Sequence, residues 1–231
     1  MTTTLITGAN KGLGYETARR LIEAGHSVWI GARDAERGQK AADELGATFV
    51  QLDVTDQASV DAAAATVAAA GGLDVLVNNA GVTGPQSKPA AELTGADFEG
   101  VYAVNVFGIV RAIHAFLPLL QASANPTIVN VTSGLGSFDS VHDANRIESK
   151  VVAPIYNSSK SAVTMLTVQY ARALDGIKVN AADPGYTATD LNGNSGHQTL
   201  TEGTDAIVTL ATLPVGGPTG TFIDRSGPAA F

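Results

Sequence analysis

Tyr156 and Lys160 stand four residues apart in "YNSSK", and Ser133 closes the apolar run "IVNVTS" 23 positions before the tyrosine. This set of residue types suits the interconversion of a carbonyl and an alcohol, in which a hydride reaches carbon while a proton reaches oxygen. A free phenol, with a pKa of about 10, is a reluctant partner for that proton near neutral pH. A spacing of four on one helix gives phenol and amine a shared face, where the positive charge is expected to favour the phenolate and lower the Tyr156 pKa. Ser133 directly follows the strand and is placed to donate to the carbonyl oxygen beside Tyr156. Ser137, the competing serine, does not directly follow that run. Read without chemistry, Tyr156 is a partly buried helix residue, Lys160 a solvated charge and Ser133 a strand-end cap.

A second group of residues suits a dinucleotide. The segment "TLITGANKGLG" leads from an apolar run through Gly8, Gly12 and Gly14 into a helical pattern. Gly8 lets the chain turn, Gly12 lets a phosphate approach the backbone, and Gly14 lets helix and strand pack closely. The unpaired N–H groups and positive dipole end of the helix that follows then suit a pyrophosphate.

The elements that must position these residues alternate along the chain. Short β-branched or apolar runs fall at residues 3–7, 27–31, 48–52, 75–78, 127–132, 178–182 and 221–224. Helical spacing fills residues 12–24, 35–45, 57–70, 95–122, 154–174 and 202–213. The pattern predicts an α/β, Rossmann-type, doubly wound, seven-stranded parallel sheet with helices on both faces, forming one domain over residues 1–231. Asp34, Asp56 and Thr94 precede helical runs as N-caps, Thr94 with Asp97 as a capping box. Pro118 reads as a kink in the long helix. Asn105 lies in the middle of that helix, where Asn is a poor former and wants a specific partner; a structural hydrogen bond and a proton relay both stay open.

Composition narrows the classes. With 14 basic and 22 acidic side chains, a net charge of −8 and no clustered Lys or Arg, a nucleic-acid or anionic-membrane surface is not expected. The absence of Cys removes disulfides, thiolate nucleophiles and Cys-bearing zinc sites, and the four His show no ligand spacing, so no metal is expected. The most apolar stretch, residues 101–120, is broken by Asn105, Arg111 and His114, and residues 2–7 lack a signal-peptide pattern. Cytoplasmic residence is the expectation.

The glycine spacing T-G-x-x-x-G-x-G, "NNAG" at residues 78–81, Asp53, Asn105, "IVNVTS", "YNSSK" and "DPGYTAT" at residues 183–189 occur in an order that resembles the short-chain dehydrogenase/reductase family. "TGANKGLG", "GARDAERG" and "GPTGTFIDRSG" look most like its carbonyl-reductase branch, which reduces ketones, aldehydes and quinones with NADPH. The resemblance implies that Tyr156 is the general acid/base, that Lys160 also bonds the nicotinamide ribose, that Ser133 orients the substrate, and that Asn105 holds a water linking the lysine to solvent. It implies coenzyme binding by Gly8, Asn10, Lys11, Gly12, Leu13, Gly14, Arg33, Asp53, Val54, Asn79, Ala80, Gly81, Pro184, Gly185, Thr187 and Thr189, besides Tyr156 and Lys160. Thr187 and Thr189 match positions that hold the nicotinamide amide.

NADPH rather than NADH is expected. Members that use NAD carry an acid where Ala32 stands, whereas Arg33, with Lys11 from the glycine loop, supplies cations for a 2′-phosphate. Asp34, twenty residues beyond Gly14, is the alternative ribose ligand and reads instead as a helix cap. The gap between Ser133 and Tyr156 is longer than is usual in the family, which predicts an extra loop at the pocket rim and leaves homo-oligomerisation open. Leu135, Phe138, Tyr186 and Leu191 are expected to line a pocket for a small hydrophobic carbonyl compound, with residues 192–199 as a mobile lid. Two other functions stay open: an NADP(H)-binding redox sensor without turnover, which has no need of the Ser, Tyr and Lys set, and a nucleotide-sugar epimerase or dehydratase, for which the chain lacks the usual extra domain.

Overall fold

Alternation within each strand sends successive side chains to opposite faces of one sheet. Leu5, Leu76, Ile128 and Val179 face one way, and their neighbours Ile6, Val77 and Val129 the other. In the computed structural model, which describes residues 1–84 and 88–231, both faces are covered by helices. The elements run β1 (Thr3–Thr7), α1 (Gly12–Glu23), β2 (Ser27–Ala32), α2 (Ala35–Leu45), β3 (Thr48–Gln51), α3 (Gln57–Ala69), β4 (Val75–Asn78), α4 (Gly95–Asn105), α5 (Phe107–Gln121), β5 (Thr127–Val131), α6 (Phe138–His142), α7 (Pro154–Ala173), β6 (Lys178–Ala182), α8 (Leu200–Gly203), α9 (Asp205–Ala211), β7 (Phe222–Asp224) and β8 (Gly227–Pro228). Sheet order is β3-β2-β1-β4-β5-β6-β7-β8. The order reverses between β1 and β4, and at that switch point the strand ends open a crevice.

The doubly wound α/β architecture agrees with the sequence reading, and three details differ from it. Among the described residues the sheet has eight strands, because the chain turns back after β7 to add the two-residue β8 antiparallel to it. The long helix over 95–122 is two helices, interrupted at Val106, where φ −109° and ψ −62° depart from helical values. Asn105 therefore ends α4 instead of lying mid-helix, and Pro118 sits within α5. The helix expected over 202–213 is divided at Thr204 into α8 and α9. The N-caps hold: Asp34 accepts from the Arg37 N–H at 3.0 Å, Asp56 from the Ala58 N–H at 3.0 Å, and Thr94 forms the capping box with Asp97.

Residues Gly95–Gln121 are apolar and long enough to cross a membrane by length and composition, with a mean hydropathy of 1.7. Here Ile109, Ile113, Phe116 and Leu120 of that stretch are instead buried in the core with α3 and β4. A buried polar chain joins the layers: the Asn78 amide donates to Asn130 at 2.9 Å, and the Asn130 amide to Thr167 on α7 at 2.9 Å. It fixes α7, and hence Tyr156 and Lys160, over the ends of β4 and β5.

Candidate active site

The turn after β1 requires glycine at Gly8 for two reasons. Its φ is +66°, and a Cβ would lie 3.0 Å from the Ala80 Cα. At Gly14 a Cβ would meet the Ala9 Cα and Gly8 O at 2.8 Å, so the helix can approach the strand only with hydrogen there. Gly12, at φ +58°, has nothing within 4 Å of its Cβ position, which leaves the outer side of the loop open. Lys11 precedes α1 without capping it, and no acid lies in the first turn, so free N–H groups and the positive helix end face that opening. This donor set fits a pyrophosphate.

"NNAG" fastens this loop. The Asn79 amide donates to Thr7 O at 2.9 Å and Gly8 O at 3.2 Å, and Thr7 Oγ1 accepts from the Asn79 and Ala80 N–H groups at 3.0 Å. Arg33 is exposed just past β2. Asp34 is occupied as a cap and by Arg37 at 2.8 Å. Lys11 pairs with Asp190 at 2.9 Å. The Asp53 carboxylate accepts from Thr55, through its N–H at 2.9 Å and its hydroxyl at 2.7 Å, while Val54 packs on Gly108.

Ser133, Tyr156 and Lys160 come together at the strand ends, with Tyr156 and Lys160 on the first turns of α7, whose N-terminal Pro154 is preset for helix entry. Desolvation and, after it, the neighbouring Asp183 carboxylate push the Tyr156 phenol up, outweighing the nearby Ser133 hydroxyl, which favours the phenolate. Lys160 does not lower it as expected. Its ammonium lies 5.6 Å from the Tyr156 ring centroid and donates instead to Val131 O at 2.9 Å, and burial brings its pKa down to about 8. Asn105 donates to Val82 O at 2.9 Å and Ser159 Oγ at 3.0 Å and accepts from the Val82 N–H at 2.9 Å. Both of its amide hydrogens are thus spent on fastening, although its oxygen and the Lys160 nitrogen each lie 3.6 Å from the point where a Cβ on Gly81 would stand.

A cavity of about 730 Å³ opens in front of Ser133 and Tyr156, lined also by Leu13, Leu135, Pro184, Gly185, Tyr186, Thr187, Thr189 and Leu191. Phe138 is not part of it. As the first residue of α6 it is 68% exposed, and Ile147, Val151 and Val152 of the same inserted segment line the wall instead. The insertion is thus at the rim as expected, folded as α6 and a 3-10 turn over Ile147–Lys150. Ser137 is structural, donating to Ala230 O at 2.8 Å and capping α6. The Thr187 hydroxyl faces inward to Pro184 O at 2.7 Å, so only its remaining edge borders the cavity. The segment expected as a lid is held by Tyr186 to Ser195 at 2.6 Å and by backbone bonds between Tyr186, Ala188 and Gln198.

Three charged groups on the cavity wall were not anticipated: Lys88, Glu148 and Asp183. Asp183 was visible only as the first letter of "DPGYTAT"; a carboxylate directly before Pro at a strand end was the available signal.

Residues 2–200 match the family described as short chain dehydrogenase. Short-chain dehydrogenase/reductase 1 of Saponaria officinalis is 33% identical, over 98% of this chain and 95% of the relative. (−)-Isopiperitenone reductase of Mentha piperita is 32% identical, over 98% and 97%. Among solved structures, NADPH-bound carbonyl reductase from chicken fatty liver superposes with a TM-score of 0.87 at 29% identity, covering 100% of this chain and 99% of that one. The chain accordingly belongs to the short-chain dehydrogenase/reductase family, in its carbonyl-reductase-like branch, and is an oxidoreductase of carbonyl and alcohol groups.

Proposed function

We propose that the protein reduces a hydrophobic ketone or aldehyde with NADPH, one domain carrying both coenzyme and substrate. The observation that carries this reading is the half-buried Tyr156 side chain beside Ser133 on the wall of the cavity, in surroundings that favour the protonated phenol. When bound, the reduced nicotinamide supplies the hydride. Gly8, Asn10, Gly12, Leu13 and Gly14 take the pyrophosphate, and Lys11 and Arg33 the 2′-phosphate. Asp53, Val54, Asn79, Ala80 and Gly81 border the coenzyme along β3 and β4, and Pro184, Gly185, Thr187 and Thr189 the nicotinamide end.

Ser133 donates to the substrate oxygen and seats it against Tyr156, which gives up its proton as negative charge develops there. A phenol pushed up by burial stays loaded with that proton through the neutral range, which suits reduction. Lys160, with a pKa near neutrality at about 8, is suited to return a proton to the site, and Asn105 holds the backbone beside it. Leu135, Tyr186 and Leu191 select for apolar substrates. The relatives' names, a carbonyl reductase bound to NADPH and (−)-isopiperitenone reductase, support this reading.

The test is NADPH oxidation followed by absorbance against a panel of ketones, aldehydes, β-keto esters and quinones, with Tyr156→Phe as control. Turnover abolished in the variant supports the proposal. NADPH binding without turnover on any compound overturns it in favour of a coenzyme-sensing role.

A further inference from the structure

Asp183 lies at the end of β6 with only 4% of its surface exposed, and its carboxylate has a definite set of partners. One oxygen accepts from the Gly185 N–H at 2.9 Å, and the other lies against the turn at Gly134. Gly134 is the residue after Ser133, and a Cβ there would meet Asp183 Oδ2 at 2.9 Å and Glu148 Oε1 at 2.8 Å. Only a glycine lets the two carboxyl groups close on this turn from opposite elements, β6 and the inserted segment. Glu148 is in turn gripped by Arg146 through two bonds, at 3.0 and 3.2 Å.

We propose that Asp183 is a positioning residue for the reaction: its buried carboxylate ties the turn after Ser133 to the turn at Gly185, and the Arg146–Glu148 pair of the inserted segment covers it. The proposal rests on the reductase reading above and deepens it. The turn at Gly134 carries the hydroxyl that seats the substrate, and the turn at Gly185 carries the nicotinamide border. One carboxylate that bonds the Gly185 N–H and packs against Gly134 keeps the two halves of the site in register. A neutral side chain would serve the geometry in part; a carboxylate adds a charge beside the phenol. The charged and titratable groups around it are Tyr156 and Lys160 on α7, Glu148 and Arg146 on the insertion, and Asp224 on β7. Burial, with Glu148 and Asp224 close by, raises the Asp183 carboxyl itself; in its ionised form it disfavours the phenolate and favours the acid form of Tyr156, the form that reduction requires.

The test compares Asp183→Asn, which removes the charge and retains one acceptor, with Asp183→Ala and wild type. In each background the ultraviolet phenolate absorbance is measured against pH with and without Tyr156→Phe, so that the difference reports Tyr156 alone. In Asp183→Asn the Tyr156 phenolate is expected about one pH unit lower than in wild type, and the alkaline limb of the reductive kcat profile is expected to fall with it. NADPH affinity should stay within about twofold while kcat drops further in Asp183→Ala, roughly tenfold, as the turns lose register. Arg146→Gln, whose side chain is 41% exposed, should move the phenolate curve the opposite way, because it removes a positive charge from the same cluster. Phenolate curves that coincide in wild type, Asp183→Asn and Arg146→Gln overturn the proposal. So does a loss of kcat in step with a loss of folded protein. If Asp183→Asn does not fold, the Arg146→Gln curve decides. A wild type that turns over no carbonyl overturns the reductase reading, and the phenolate curves then decide on Asp183 alone.

Discussion

The coenzyme side and the substrate side of the crevice are built by different means. From β1 to β4 the surface is mostly backbone: left-handed glycines, an uncapped helix end, and side chains such as Thr7 and Asn79 that hold main chain in place. From β5 to β7 it is mostly side chain, with a phenol, an amine and the Asp183 carboxyl group gathered under an inserted segment that contributes Glu148. Backbone geometry tolerates little variation and recognises what every dinucleotide shares. Side chains can be exchanged singly, and they carry the chemistry and the choice of substrate.

The contrast breaks most sharply at Tyr156. Tyr156→Phe should lower kcat roughly a thousandfold while the NADPH dissociation constant, measured by fluorescence titration, stays put; equal loss of both would merge the two sides. On the coenzyme side the corresponding change is in folding. Gly14→Ala forces a Cβ to 2.8 Å from the Ala9 Cα and the Gly8 carbonyl, and should destabilise the protein by about 3 kcal/mol in denaturant unfolding. Gly12→Ala has open space around it but a φ of +58° that strains a side chain; it should cost about 1 kcal/mol in unfolding and lose mainly coenzyme affinity.

Arg33→Ala should weaken NADPH binding between about tenfold and a hundredfold and leave NADH binding unchanged. A loss shared equally by both coenzymes would remove the 2′-phosphate from its assignment. Lys160 sharpens the contrast through pH. Its folded pKa of about 8 lies below its ordinary value of 10.5, so the folded state binds fewer protons between those values and stability rises with pH across that window. The thermal midpoint of wild type relative to Lys160→Met should therefore climb by a few degrees from pH 8 to 10.5 and lose that gain as pH falls through 8. The smallest effect belongs to Phe138→Ala, which should leave KM within about twofold, in contrast to Leu191→Ala on the cavity wall.

What could be read from the sequence follows the same division. Gly8, Gly12 and Gly14 were legible because their spacing marks a turn between strand and helix, although the approach of Ala80 to Gly8 was not, and Tyr156 with Lys160 because four residues on a helix fix a shared face. Where the outcome depends on distant partners the reading failed. The interruption at Val106 follows from Asn105 bonding Val82 and from Gly108 approaching Val54, neither of them a neighbour in sequence. Phe138 points outward because Ser137 caps α6 and is itself tied to Ala230. The Tyr156 phenol is pushed up, against expectation, because Asp183 arrives from 27 residues away to join burial in opposing the phenolate. The two-residue β8 is too short to leave any pattern.

The contact between Lys11 and Asp190 joins the two sides, and both side chains are more than half exposed, at 60% and 65%. The cation assigned to the 2′-phosphate is thus already engaged by the substrate-side loop, and the coenzyme must compete with Asp190 to have it. Ionic strength then acts twice with opposite sign. Added salt loosens the Lys11–Asp190 pair, which releases the cation and unfastens the loop, and it also screens the attraction between that cation and an incoming phosphate. NADPH affinity should consequently fall less steeply with salt in this protein than in its Asp190→Ala variant, where only the second effect remains.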